Sequence, residues 1–284
     1  MDKEPVITKI EEGIMTISLN RPEKRNALNS EIMDALPLAF STAVTNPKVK
    51  AVILKGEGPV FSAGIDFFGM GILSKPSSGK SGKSGDSKNL VKAMGSGNLS
   101  AFRNYLTDMH YSLNKIESLE KPVICAINKY VAGMGLEIAL TADFRIATKD
   151  ALLGMPEVQL ALIPDVGGTT RLVKLLGVVK AKELILTGKM ITAEEALKIN
   201  LINEVVEPDK LIESAENLAR YIIDNCSPLA VGMAKKLIDL GADMDKNTLL
   251  EMEGVFQSIV ISKTEDVMEG FMARVQKRKP KFKG

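Results

Sequence analysis

The chain has 284 residues, 45% of them hydrophobic, enough to bury a substantial core as one large domain or as a domain with an appendage. Its net charge of +2 is too balanced to imply nucleic acid as a partner, and no run of about 18 apolar residues is present to span a membrane. Two cysteines, Cys125 and Cys226, offer neither a disulfide framework nor a metal cluster; a reducing compartment such as the cytoplasm is expected, and the start MDKEPVITKI does not read as a signal peptide.

Residues 6–10 and 14–19 read as paired strands around Glu11, Glu12 and Gly13. The loop 21–28, within NRPEKRNALN (20–29), is basic, with Arg21, Lys24 and Arg25. A helix is expected over 30–44, where Ile32, Leu36, Phe40 and Val44 recur on one face, with a kink at Pro37. Residues 51–54 form a buried strand, and FSAGIDF (61–67) turns sharply at Ala63 and Gly64.

From 69 to 97 the composition shifts to glycine, serine and lysine, which predicts a flexible insertion. Gly79-Lys80-Ser81 and Gly82-Lys83-Ser84 do not make a phosphate-binding loop, because Ser74 and Ser77 stand where its first glycine is needed. The lysines of this segment leave two readings beside a merely solvated loop: guidance of an anionic substrate, or contact with RNA. A helix follows over 99–119, with Leu99, Phe102, Leu106, Met109, Leu113 and Ile116 at helical spacing. It holds His110, the only histidine. No Gly-x-Ser-x-Gly elbow accompanies it, so a serine-hydrolase triad is not expected, and His110 reads as an ordinary helix residue or as a substrate contact.

The stretch 121–172 carries most of the chemistry. Residues 122–127 are an apolar run of a strand buried on both faces, and Gly133 and Gly135 lie between it and a helix. Small residues at such a junction let the main chain approach a ligand and aim free N–H groups at a negatively charged oxygen. Gly133-Met134-Gly135 lacks the third glycine of a dinucleotide fingerprint, since Ile138 stands there. Three acids, Glu137, Glu157 and Asp165, sit in apolar sequence, where acids are seldom found without a reason. Glu137 alone would suit the helix dipole and Asp165 alone would cap a helix starting near Gly167; as a pair beside a glycine turn, Glu137 and Glu157 point to a site. Beyond Leu172 the chain is helical, with a Thr192/Glu195 capping box and amphipathic stretches over 209–225, 228–240, 247–261 and 265–277.

AINKYVAGMGLE, then AD, MPE and IPDVGGTTRL, together with NRPEKRNALN, FSAGIDF and the tail RVQKRKPKFKG, resemble the crotonase (enoyl-CoA hydratase/isomerase) superfamily along the whole chain. The resemblance implies an α/β fold, a crotonase-like spiral of repeated ββα units over 1–200, and a C-terminal helical region over 201–284 that assembles a homotrimer or hexamer. It implies an oxyanion hole from the N–H groups of Ala63 and Met134, with Met134 standing where a glycine is common, and an acyl pocket along the helix that begins at Leu99. It places CoA against Lys24, Arg25, Ala27, Leu28, Ala63, Gly64, Ile65, Asp66, Phe67 and Gly133, with Lys277 and Phe282 reaching a neighbouring subunit's CoA.

The reaction expected on that basis is hydration of a 2-enoyl-CoA, with Glu137 and Glu157 holding one water and no metal or redox cofactor; CoA enters only as part of the substrate. Two neighbouring carboxylates resist ionising together, so one accepts a proton while the other delivers one. Asp165, eight residues after Glu157, leaves open a dienoyl-CoA or enoyl-CoA isomerase using Glu157 and Asp165. Acyl-CoA hydrolysis or lysis, and a non-catalytic RNA-binding scaffold, are the further alternatives.

Overall fold

The computed structural model of the protein describes residues 4–70 and 99–284. The insertion expected over 69–97, apart from Gly69 and Met70, lies outside the described residues. Along the chain come β1 (Val6–Glu11), β2 (Ile14–Leu19), α1 (Ser30–Thr45), β3 (Ala51–Gly56), α2 (Leu99–Glu117), β4 (Val123–Ile127), β5 (Tyr130–Ala132), α3 (Met134–Ala139), β6 (Phe144–Thr148), β7 (Leu152–Gly154), α4 (Gly168–Thr187), β8 (Met190–Thr192), α5 (Ala193–Lys198), β9 (Glu204–Val206), α6 (Leu211–Asn225), α7 (Pro228–Gly241), α8 (Lys246–Lys263) and α9 (Asp266–Val275).

The hairpin β1–β2 is antiparallel and turns at Glu12 and Gly13, both at positive φ. From β2 onward the first sheet is parallel, in the order β1-β2-β3-β4-β6-β9. Its inner strands β2, β3 and β4 are buried on both faces, which explains the unbroken apolar run of β4, while the edge strand β1 is mostly exposed. On one face Met15, Ile17, Val52, Leu54, Val123, Cys125 and Ile127 pack with the helices α1 and α2. On the other, Ile14, Ala51, Ile53, Ile124, Ala126 and Ile146 meet Leu211, Ala215 and Ala219 of α6. The second sheet, in the order β5-β7-β8, takes β5 and β7 from directly after β4 and β6 and adds β8 after α4, so successive turns of chain repeat a ββα pattern: the spiral that the resemblance implied.

The Thr192/Glu195 capping box forms as read, whereas Pro37, where a kink was expected, does not break α1. Asn29 caps α1 by accepting the N–H of Ile32 at 3.2 Å. Thr192 and Glu195 form the reciprocal capping box of α5. Two elements beyond residue 200, β9 and α6, are part of the core layers. The helices α7, α8 and α9 are different: from 228 onward only Gly232, Val260, Asp266 and Ala273 are buried, while Ile238, Met268, Phe271 and Val275 are each at least 65% exposed. Asp266 ties the tail back by accepting from Ser227 Oγ at 2.8 Å and from the N–H groups of Lys283 at 2.8 Å and Gly284 at 3.1 Å. Among the described residues no helix is long and apolar enough to cross a membrane.

One buried side chain fixes the loops nearest the ends of β2 and β3. Asn26, fully buried and at φ 51°, donates to the carbonyls of Glu57 and Val60 at 2.8 Å each and accepts the N–H of Arg21 at 2.9 Å. Asparagine tolerates this left-handed backbone because its short polar side chain bonds locally. Asn26→Ala strands three polar groups, one buried and two partly buried, and a loss of about 2–4 kcal/mol is expected, read as a lower urea midpoint with unchanged slope.

Candidate active site

Two backbone segments meet edge to edge. Ser62 bridges Val131 in parallel, with Ser62 N–H donating to the Tyr130 carbonyl and Ala132 N–H to the Ser62 carbonyl, both at 3.2 Å. Gly64 sits at φ 89°, and a β-carbon there would lie 2.8 Å from the Ala132 carbonyl oxygen; one on Gly135 would lie 2.8 Å from Ser62 Cβ. Only glycine permits this approach. The contact reaches Gly64 and Gly133, since a β-carbon on Gly64 would lie 3.9 Å from Gly133 Cα; Ile65 and Met134 are the next residue on each segment.

This corrects the sequence reading of the oxyanion donors. The N–H of Ala63 is already committed, donating to the Arg25 carbonyl at 2.9 Å. Among the described residues the N–H of Ile65 has no acceptor. Neither does that of Met134, the first residue of α3, where an N–H has no partner within the helix. Among the described residues the N–H groups of Ile65 and Met134 are thus both without an acceptor. Ile65 lies two residues beyond the turn at Ala63, and its place depends on the Ser62–Val131 bridge, a register between segments distant in the chain.

The loop expected to meet CoA is assembled against this edge. Leu28 N–H donates to the Gly64 carbonyl and Asp66 N–H to the Leu28 carbonyl, both at 2.8 Å, so 24–28 and 63–67 lie side by side. Lys24 and Arg25 are exposed, Ala27, Ile65 and Phe67 half-buried, and Leu28 buried. The Asp66 carboxylate serves the loop itself, accepting from Arg21 Nη1 at 3.1 Å and Gly69 N–H at 2.8 Å. Lys277 is exposed, and Phe282 packs on Gly270 of its own chain.

The three acids converge here. Glu137 is 1% exposed, in the first turn of α3, and its Oε1 accepts the N–H groups of Val166 at 3.0 Å and Gly168 at 2.7 Å. Glu157 lies in the short 3₁₀ turn Pro156–Leu160, with Oε1 2.8 Å from where a β-carbon on Gly133 would stand. Its Oε2 is buried with no hydrogen-bond partner among the described residues. Asp165 does not cap α4; that position is held by Gly167, and no side-chain bond is made there. Instead Asp165 lies close enough for its charge to act on both glutamates.

Burial above all, and then the charges of Glu157 and Asp165, push Glu137 up to about 8 against the two N–H groups that favour its ionised form. Burial likewise raises Glu157 and Asp165, with Asp165 adding to the rise of Glu157 and His110 opposing that of Asp165. Such a cluster carries protons at neutral pH and can both take and give one. Among the described residues, no group of three or more acidic, cysteine or histidine side chains is arranged to hold a metal ion. Since Glu137 keeps its proton when folded and loses it near 4.5 when unfolded, its contribution to stability is full below about 4.5 and lost as pH rises through about 8. Thermal melts should fall over that window, and Glu137→Gln should flatten the fall; equal slopes for both proteins would refute the assignment.

Residues 14–225 match the family described as Enoyl-CoA hydratase/isomerase. A Short-chain-enoyl-CoA hydratase of Clostridium acetobutylicum is 36% identical over 280 residues, covering 98% of this chain and 97% of that one. A Crotonyl-CoA hydratase of Syntrophomonas wolfei is 33% identical over 283 residues, 99% of each chain. The solved structure of an enoyl-CoA hydratase from Bacillus anthracis superposes with a TM-score of 0.84 at 34% identity over 99% of both chains. With its α/β spiral, its acid cluster and a match spanning most of its length, the chain belongs to the enoyl-CoA hydratase/isomerase family, the crotonase superfamily.

Proposed function

We propose that the protein is an enoyl-CoA hydratase that adds water to a short-chain 2-enoyl-CoA. The observation that carries this is a pair of glutamates, Glu137 and Glu157, sharing one buried space beside two unpaired N–H groups. A thioester carbonyl seated between Ile65 N–H and Met134 N–H gains stabilisation as negative charge builds on its oxygen. Glu137, held by Oε1, presents its remaining oxygen, and Glu157 presents the unpartnered Oε2. Together they hold a water beside the double bond, one carboxylate taking its proton and the other delivering a proton to the α-carbon. The product is a 3-hydroxyacyl-CoA, and the chemistry requires neither metal nor redox cofactor. The names of the two curated relatives support a short acyl chain.

Asp165 favours a second reading. Its charge reaches Glu157, so the two could pass a proton along a conjugated acyl chain without water, as an isomerase does. Assembly into a trimer or a pair of trimers is part of the proposal. The exposed Ile238, Leu250, Val255, Ile261, Phe271 and Val275 supply an apolar surface that another copy would cover, and in such an assembly Lys277 and Phe282 would reach a neighbour's CoA. A cytoplasmic location belongs to the same reading.

Glu157→Gln should lower kcat with crotonyl-CoA about 1,000-fold or more while CoA-ester binding persists, since a group that moves a proton is lost but a similar shape remains. Unchanged turnover would defeat the assignment. Mass spectrometry after incubation with a 2-enoyl-CoA and a 3,5-dienoyl-CoA separates the two readings: hydration adds the mass of water and isomerisation adds none.

A further inference from the structure

Three polar residues stand on one face of α2 at helical spacing: His110, Asn114 and Glu117. All three serve the segment that follows Asp165. Asn114 and Glu117 bind the buried guanidinium of Arg171, with Nη2 at 2.8 Å from Asn114 Oδ1 and 2.8 Å from Glu117 Oε2. Arg171 Nη1 donates in turn to the Val166 carbonyl at 3.2 Å. His110 Nε2 lies 2.6 Å from the carbonyl oxygen of Asp165. A carbonyl oxygen can only accept, so Nε2 carries the proton.

The carbonyl of Asp165 and the N–H of Val166 belong to one planar, trans peptide, and point in opposite directions from it. Val166 N–H is one of the two donors on Glu137 Oε1, and Gly168 N–H, two residues on, is the other. No helix or strand holds residues 162–167, and Gly167 takes a left-handed φ of 106° that leaves the chain free to turn. What fixes the plane is its attachment at the far side. We infer that His110 is a positioning residue for Glu137: by pinning the Asp165 carbonyl, it aims the N–H of the same peptide at the glutamate oxygen and leaves the other oxygen free to work. Arg171 holds the carbonyl of the following peptide, Val166–Gly167, so α2 acts as a strut with two attachments. His110 touches no reacting atom in this role, and its bond is to the Asp165 main chain, not to the carboxyl group.

The test compares His110→Phe, which keeps a ring and loses the donor, with His110→Gln, whose side-chain amide restores an N–H at similar reach. The readouts are kcat and KM with crotonyl-CoA and the titration of Glu137, followed by the carboxyl shift in protein carrying ¹³C-glutamate. The phenylalanine variant should lose about 10- to 100-fold in kcat with KM within about twofold, the scale of a misplaced catalytic group. Its Glu137 midpoint should move higher, because the N–H groups that favour the ionised form are no longer aimed. The glutamine variant should recover both. If the phenylalanine variant matches the parent in kcat and in the Glu137 midpoint, or if glutamine is as impaired as phenylalanine, the inference is overturned. The kinetic arm rests on the hydration reading; a parent protein inert towards crotonyl-CoA would sink that reading, while the Glu137 titration still decides the role of His110.

Discussion

Two strands of main chain run side by side with nothing between them, and the site depends on that closeness. At 62–65 and 131–134 a side chain on Gly64 or Gly135 would occupy space already taken by carbonyl oxygen or by Ser62. Because the gap is closed, the segments share one register, and because the register is shared, their free N–H groups arrive together. A pair of backbone donors fixed in this way needs no reorganisation when charge develops nearby. Everything else in the site is arranged around it: the 24–28 loop bound along the outer edge, and the acids set on the elements that follow.

The acids are costly neighbours. Bringing three carboxyl groups into partial burial raises all of them, and the protein offsets this for Glu137 with two N–H donors and leaves Glu157 Oε2 with none. The arrangement is less stable than an apolar core of the same shape would be, which is the usual sign of a site kept for its chemistry. The cost is supported by rigid surroundings. Behind Glu137 lie the packed Met155, Val166 and Leu172, and beyond them the α2 helix that grips the 165–171 segment.

Much of this could be read from the residues. The hairpin, the strand at 123–127, the helix ends at Asn29 and Thr192, and the meeting of Glu137 with Glu157 all follow from local pattern or from short motifs. What sequence could not give was register between segments far apart in the chain. The displacement of the donor from Ala63 to Ile65 is of that kind, since it depends on which residue faces Val131, and so is the contact between His110 and the Asp165 carbonyl, 55 positions away. Asp165 as a helix cap was a sound local reading that tertiary placement overrode: α4 begins at a glycine in a left-handed turn, and the charge of the aspartate acts on the other acids.

Gly133 ties these threads together in another way. It adopts φ 54° and ψ −131°, and the place its side chain would fill is the place where the Glu157 carboxylate rests. Positions 133 and 157, 24 residues apart, therefore compete for a single volume. Changes at the two sites will not add: shortening the acid would make room for a methyl group on the glycine, so the cost of the second change depends on whether the first has been made. A lineage exploring new chemistry at this acid could loosen the steric veto on its neighbour, though the backbone strain of a side chain at that φ would persist.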